Sequence, residues 1–487
     1  MNEYTVNFSR PCHVHFIGIG GISMSGLAQI ILKEGFTVSG SDMKESALTR
    51  QLTALGATVS YPQKADNITD HIDVIVYTAA IHEDNPEFVA AKASKKPMLS
   101  RAEFLGQLMN NYKRSVAIAG THGKTTTTSM LTHILLAAQA DPTISVGGIL
   151  KAIDGNIRVG SSDCFVTEAC EYTNSFLHFY PKYSVVLNVE AEHLDFFKDY
   201  NDIRRSFHQF LANTADDGAI ILNGEISDRA ELTDQLSTKV ITYGFETDFD
   251  VYASDISYND FGCASFVVHT TEGTQTPIQL RVPGKHNISN ALAAYAVASQ
   301  MGIAPEAIAK GLSAFTGTDR RFQYKGTLRR HTGASDAPLT EITIVDDYAH
   351  HPTEIRATLT AAKNICHPND PDAASSKKDR RIVCVFQPHT YSRTKAFLDD
   401  FADALSLADI VVLADIYAAR ETDDHSVSSK DILDRLKARG TEAYYFPTDE
   451  TFDGIEKFLL KKCIDGDLLI TMGAGNILEV GEHLLGQ

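Results

Sequence analysis

The sequence predicts an α/β protein of three successive segments, residues 1–110, 111–322 and 323–487. Two observations lead to this fold class. Short apolar runs alternate with helix-period runs, the pattern of parallel, doubly wound sheets. Glycine-rich turns join strand to helix near the start of the first two segments, and the alternation resumes after residue 322.

In the first segment "HVHFIGIG" reads as a strand, "MSGLAQIILKEG" as a helix, and "TVSGSD" and "DVIVYTAA" as further strands. The chain turns polar around Tyr112 to Ser115, and a new strand–loop–helix unit begins at Val116, which sets the first boundary near 110. The second segment continues with "CFVTEA", "YSVVLNV" and "GAIILNG". The third carries "EITIVDDYAH", "RIVCVFQPH", "DIVVLAD" and "DLLITMGAG" as strands, with "TKAFLDDFADALSLA" as a long helical stretch between them. "RHTGASDAPLT" and "HPNDPDAASSKKDR" read as polar surface loops. The second boundary follows "GTDRRF", and no repeat of fixed period occurs.

The 62 acidic residues outnumber the 44 basic ones, for a formal charge of −18. This balance argues against nucleic acid as a partner, because a phosphate backbone needs a basic footprint. The seven cysteines are scattered with no C-x-x-C pair, so neither a disulfide framework nor a zinc ribbon is expected. No run of 18 apolar residues and no apolar leader core occurs, so the expectation is a cytoplasmic protein without membrane association.

The stretch "SVAIAGTHGKTTTTSM" leads a strand through Gly120-x-x-Gly123-Lys124-Thr125 into a helix. Such a turn aims backbone N–H groups and a helix N-terminus at one point, with Lys124 as point charge and the Thr125 hydroxyl available to Mg²⁺. The gap of two residues between the glycines is shorter than the usual four, and the bland alternative is a glycine turn whose threonines cap the helix. An earlier loop, "FIGIGGISMSG", meets the G-x-G-x-x-G fingerprint at Gly18 and Gly20 but places Ser23 at the third glycine. Asp42 stands where a ribose-binding acid would. NAD, another diphosphate, or a tight strand–helix turn all remain open there.

Glu168 in "TEACE" and His193 in "LNVEAEHLDFF" follow strands, where ligand crevices form, and could complete a magnesium site. Taken singly, His193 reads as a hydrogen-bonding residue and each carboxylate as a solvated acid. "PGKHNISN" sets His286, Asn287 and Asn290 at a helix start, to read an adenine edge or simply to cap. Arg320 and Arg321 in "GTDRRFQ" reach a phosphate or lie in solvent. "DDYAHHPTEI" holds Asp346, Asp347, His350 and His351; adjacent histidines at a strand end point apart, so polar-substrate binding with proton transfer fits better than a metal. "FQPHTYSRT" adds His389 and Arg393.

Together "HFIGIGGISMSGLA", "AGTHGKTTT", "PGKHNISNALAA", "RRF", "DDYAHHPTEI", "FQPH-YSRT" and "TMGAGNI" resemble the Mur ligase family, in order and over nearly the whole chain. The short phosphate loop is normal for that family. The resemblance implies an N-terminal Rossmann-like domain for a UDP-sugar, a central P-loop ATPase-like parallel sheet and a C-terminal Rossmann-like domain for an amino acid. It implies an ATP- and Mg²⁺-dependent amide ligase with UDP-N-acetylmuramate, L-alanine and ATP as partners, monomeric or weakly dimeric. By position, Gly18, Gly20, Gly21, Ser23, Asp42 and Thr78 would hold the UDP-sugar. Gly120, Thr121, His122, Gly123, Lys124, Thr125, Thr126, His286, Asn287, Asn290, Arg320 and Arg321 would hold ATP. Thr125, Glu168 and His193 would serve metal. Tyr348, His350, His389 and Arg393 would bind the amino acid, with Lys124, His193, His350 and Arg393 at the chemistry. The chain departs from the family at Cys170 and Thr390, where an acid and an arginine are usual, and at Glu192 and Asn476, where aspartates are usual. A ligase that reattaches murein tripeptide is the near alternative. An NAD-dependent oxidoreductase is disfavoured by Lys124 and Ser23, and a non-catalytic ATP-binding regulator by the polar sets of the third segment.

Overall fold

The structure, a computed structural model, describes residues 4–193, 196–227, 229–259, 261–331, 339–366, 380–419, 421–423, 425–448 and 451–487. Most of the two expected polar loops, residues 332–338 and 367–379, lies outside the described residues. The chain divides into two compact units. One comprises Met1–Ala253, Val268–Thr276 and Asn290–Leu312, and the other Ser254–Val267, Pro277–Ser289 and Ser313–Gln487.

In the first unit, β1 (His13–Ile17), β2 (Thr37–Ser41), β3 (Thr58–Ser60), β4 (Val74–Tyr77) and β5 (Met98–Ser100) form one sheet in the order β3-β2-β1-β4-β5. Every pairing in it is parallel. The order reverses between β1 and β4, so the crevice where ligands bind opens beyond Ile17 and Tyr77, beside Gly18 and Thr78. The helix Ile22–Lys33 returns the chain from β1 to β2 and buries Met24, Leu27, Ala28, Ile30 and Ile31, the near-3.6 spacing of one apolar face.

The second sheet has ten strands. They are β6 (Arg114–Ala119), β7 (Thr143–Leu150), β8 (Gly155–Arg158), β9 (Cys164–Glu168), β10 (Tyr183–Val186), β11 (Ala219–Asn223), β12 (Lys239–Gly244), β13 (Val251–Tyr258), β14 (Cys263–Thr270) and β15 (Gln275–Pro283). Their order is β15-β14-β13-β12-β11-β10-β6-β9-β7-β8. The parallel strands β9 and β10 flank β6, which sets the ends Glu168 and Val186 on either side of the Lys124 loop.

In the second unit β16 (Gln323–His331), β17 (Leu339–Asp347), β18 (Ile382–Phe386), β19 (Ile410–Leu413), β20 (Glu442–Tyr445) and β21 (Leu468–Met472) run in the order β16-β17-β21-β18-β19-β20. Among the described residues of this sheet, β16 and β17 pair antiparallel and the other pairings are parallel. Ile382, Cys384 and Phe386 enter one apolar cluster while Val383 and Val385 enter another. That period of two over a fully buried strand means both sheet faces are covered.

Two expectations are corrected here. "TKAFLDDFADALSLA" is not one long helix: Tyr391–Ala396 and Leu398–Leu405 are separate, broken at Phe397 with φ −121°. Leaving helical geometry lets the Phe397 ring pack edge-on against His351, with centroids 5.0 Å apart. Nor do the threonines after Lys124 cap their helix. Its cap is Gly123, in a left-handed conformation at φ 86°, with no side-chain cap bond. Thr126, Thr127 and Thr128 are buried along the helix instead.

Candidate active site

The Lys124 loop is built by β6 and braced by the segment after β10. The Asn188 side chain accepts from His122 N–H at 2.7 Å and donates to His122 C=O at 3.0 Å. Glu190 N–H donates to Thr121 Oγ1 at 2.9 Å. These bonds hold a loop shortened by two residues in shape without the usual extra turn.

Lys124 Nζ donates to Gly120 O, to Thr121 O and to both Glu171 oxygens, 3.3 and 3.0 Å away. Burial pulls the Lys124 ammonium down, but Glu171, Cys170 and Glu168 more than offset this, so its pKa is raised and it stays charged. Thr125 O–H donates to Glu168 Oε2 at 3.1 Å, and Glu168 Oε1 accepts from Gly147 N–H at 2.6 Å. A hydroxyl and a carboxylate side by side at the end of a phosphate loop are hard oxygen donors, which fit Mg²⁺. His193, with φ 55°, lies on the other flank. Its ring packs at a tilt of 34° against Tyr172, with centroids 4.5 Å apart, and its Nε2 is 3.8 Å from Glu171 Oε1. Asn290 belongs to this loop, since its Oδ1 accepts from Thr127 O–H at 3.3 Å and lies 2.6 Å from where a Cβ on Gly123 would be.

The first glycine loop is wired differently. Asp42 accepts from Gly20 N–H at 2.8 Å and from Met43 N–H at 2.7 Å, so the acid of the fingerprint position holds its own loop. A Cβ on Gly20 would stand 2.7 Å from Asp42 Oδ2. Gly18 packs on the Thr78 side chain, and Gly21 caps the helix with no side-chain bond. Arg101 Nη1 donates to Ser23 Oγ at 3.1 Å, placing a guanidinium at this loop.

On the second unit, Asp346 and Asp347 turn inward. Asp346 accepts from Arg320 Nε at 3.1 Å and from Thr471 O–H at 2.7 Å. Asp347 accepts from Ala349 N–H, Phe322 N–H and Thr358 O–H, and burial pushes its carboxyl up to about 6. Arg320, which also donates to Gly473 O, is thus a bracing residue, while Arg321 lies 3.8 Å from Glu354. Both guanidinium groups lie over the Tyr348 ring, at 4.9 and 5.2 Å. Asn287 Nδ2 donates to Pro283 O at 2.7 Å, and His286 is exposed.

The adjacent histidines do diverge. His351 is buried on Phe397, whereas the His350 ring stands 5.3 Å from Tyr348 and 5.7 Å from His389. His350 Nδ1 donates to Tyr348 O at 3.0 Å, which leaves Nε2 as the basic nitrogen of the neutral ring. Arg393 Nη1 donates to His389 Nδ1 at 3.1 Å, so a neutral His389 carries its proton on Nε2. Tyr348, His350, His389 and Arg393 are therefore one continuous set.

Residues 13–113 match the Mur ligase family, catalytic domain; residues 118–298 the Mur ligase middle domain; and residues 329–475 the Mur ligase, glutamate ligase domain. A UDP-N-acetylmuramate–L-alanine ligase of Agathobacter rectalis is 60% identical over 482 residues, covering 99% of each chain. The chain belongs to the Mur ligase family. The Lachnospira eligens protein of the same name is 53% identical, over 99% of this chain and 100% of its own. The crystal structure of a UDP-N-acetylmuramate-alanine ligase from Thermotoga maritima superposes with a TM-score of 0.73 at 30% identity, covering 97% of this chain and 98% of that one.

For this Mur ligase the sequence reading missed Glu171, Asn188 and Arg101 as neighbours of the two loops. Glu171 stands in the same quoted stretch as Glu168, but nothing local says which acid meets the lysine. Arg101 follows Ser100, whose capping box with Glu103 signals a helix start and conceals the contact with Ser23.

Proposed function

We propose that the chain is the ATP-dependent ligase that joins L-alanine to UDP-N-acetylmuramate, a cytoplasmic step of peptidoglycan precursor synthesis. The observation that carries this reading is the Lys124–Thr125–Glu168 grouping, a charged lysine beside two hard oxygen donors, in a chain 60% identical to a ligase of that name. A γ-phosphoryl group of ATP passes to the lactyl carboxylate oxygen, with ADP as leaving group. The amino-acid nitrogen then attacks the acyl carbon and releases inorganic phosphate. Lys124 neutralises charge on the phosphoryl group in transfer, and the loop N–H groups position it. Thr125 and Glu168 would hold Mg²⁺, which supplies further charge neutralisation.

The N-terminus of the helix Ile22–Lys33, together with Gly18 to Ser23, suits the diphosphate of the UDP-sugar. Arg393 suits the amino-acid carboxylate, and the His350 Nε2 lone pair suits the proton lost by the attacking amine. Release of ADP with UDP-N-acetylmuramate, measured with L-alanine and with murein tripeptide, tests the reading. Release that depends on L-alanine is expected. Preference for the tripeptide would make the chain a recycling ligase, and release with neither would overturn the proposal.

A further inference from the structure

Lys124 is fully engaged by its own protein. An ammonium has three donors, and here they serve Gly120 O, Thr121 O and the Glu171 carboxylate, with Glu171 Oε2 at 3.0 Å. Glu171 is itself 2% exposed, in the short turn after β9, and Cys170 beside it places a thiol where the family usually has an acid. Glu171 is thus the carboxylate that meets the lysine. A phosphate that is to contact Lys124 must take this carboxylate's place, and a free nucleotide polyphosphate would arrive beside an anion that has not left.

We propose that Glu171 is a positioning residue whose carboxylate stands in for phosphate on Lys124 and exchanges with it, so that only a nucleotide whose charge is already offset by a divalent cation displaces it. The inference rests on the ATP reading of the Lys124 loop. Two anions at hydrogen-bond range of one ammonium, in a site shielded from water, repel each other strongly. Metal on the phosphates removes much of that repulsion and leaves Lys124 free to change partner. Displaced from the lysine, Glu171 has the His193 ring at hand, whose Nε2 is already 3.8 Å from Glu171 Oε1. The His193 ring packs there against Tyr172. The exchange therefore needs a side-chain movement and no rearrangement of the loop backbone, which Asn188 and Glu190 brace.

The test is equilibrium binding of ATP to the full chain, in EDTA and in excess Mg²⁺, for the unaltered protein, Glu171→Gln and Glu171→Ala. The unaltered protein should bind ATP much more tightly with Mg²⁺ than without. Either substitution removes the competing charge, so affinity in EDTA should rise by about tenfold or more while affinity in Mg²⁺ changes far less. A contact that merely stabilises the turn would weaken both alike and leave the ratio unmoved. Tight Mg²⁺-dependent binding by the unaltered protein, with the same ratio in whichever variant folds, would overturn the exchange while leaving the ATP site standing. Failure of the unaltered protein to bind ATP in either condition would overturn the ligase reading and this inference together.

Discussion

In the Gly18 loop the nearby acid is spent on the backbone, Asp42 accepting from Gly20 N–H, whereas in the Lys124 loop it is spent on a side chain, Glu171 accepting from the ammonium. Both loops join a parallel strand to a helix, and both helices begin at a glycine with no side-chain cap. The difference matches the two tasks proposed for these loops. A loop that only holds a diphosphate can be built once and fixed, with its acid as internal scaffold. A loop that handles a phosphoryl group in transfer needs a preorganised point charge, and a buried cation needs a counter-ion until its ligand comes.

The largest effect expected from breaking this contrast is at Lys124. Lys124→Ala should fold and lose on the order of 10²–10³ or more in turnover, the scale of removing one preorganised charge from a transition state. Near-normal ADP production by the folded variant would remove the phosphoryl-transfer role from this loop.

Arg393→Ala is the control outside both loops. Loss of a charge-assisted bond, about 1.5–3 kcal/mol, should raise KM for L-alanine by roughly tenfold or more. Position 390 is a threonine rather than the arginine usual in the family, so on the proposed assignment Arg393 would carry the carboxylate contact in this segment. KM for ATP and for the UDP-sugar should hold steady. Steady-state kinetics with each substrate varied in turn checks this, and a damaged ATP KM with normal L-alanine KM would reverse the assignment.

Gly20→Ala sharpens the comparison from the other side. Its Cβ would stand 2.7 Å from Asp42 Oδ2 and 2.9 Å from Thr49 Cγ2, so the scaffold carboxylate must move and release the loop N–H. KM for the UDP-sugar should rise several-fold, up to about tenfold, while ATP binding is unchanged. An equal loss at both substrates would mean the two loops are not independent.

The smallest effect is a pH dependence at Asp347, in the other unit. Burial raises the folded pKa of Asp347 from 3.8 to about 6. The native state therefore holds this proton more tightly than the unfolded chain, and the stability so gained is present at low pH and lost as pH rises through about 6. Asp347→Asn has no such proton. Its stability deficit relative to the unaltered protein should be widest near pH 4 and narrow by up to ~3 kcal/mol towards pH 7. Unfolding midpoints of both proteins across that range decide it, and a constant gap would mean Asp347 ionises normally.

Much of this was legible in the sequence because it is local. The strand ends at Ile17, Ala119, Glu168, Asp347 and Phe386 follow from apolar runs stopped by polar or glycine residues, and both loops follow from glycine spacing. The divergence of His350 and His351 follows from their adjacency. What was not legible depends on strand order. That Glu171 meets Lys124, and that Asn188 clasps His122, requires β9 and β10 to flank β6, which no local pattern states. The fingerprint places an acid at Asp42 but does not say what it bonds; its bond to Gly20 N–H depends on how tightly the first loop turns. The helix break at Phe397 was hidden because Leu398, Phe401, Ala402 and Leu405 keep the helical period on past it, while Phe397 itself leaves helical geometry and packs on His351.

Passage of a phosphoryl group to the substrate carboxylate at the Lys124 loop is the central step of the proposed reaction. Turnover of UDP-N-acetylmuramate labelled with ¹⁸O in its lactyl carboxylate, with L-alanine and MgATP, reads that step in the released inorganic phosphate. Each phosphate formed from fully labelled substrate should carry one ¹⁸O, delivered when the amine displaces phosphate from the acyl carbon. Amide formation with unlabelled phosphate would contradict the proposed reaction.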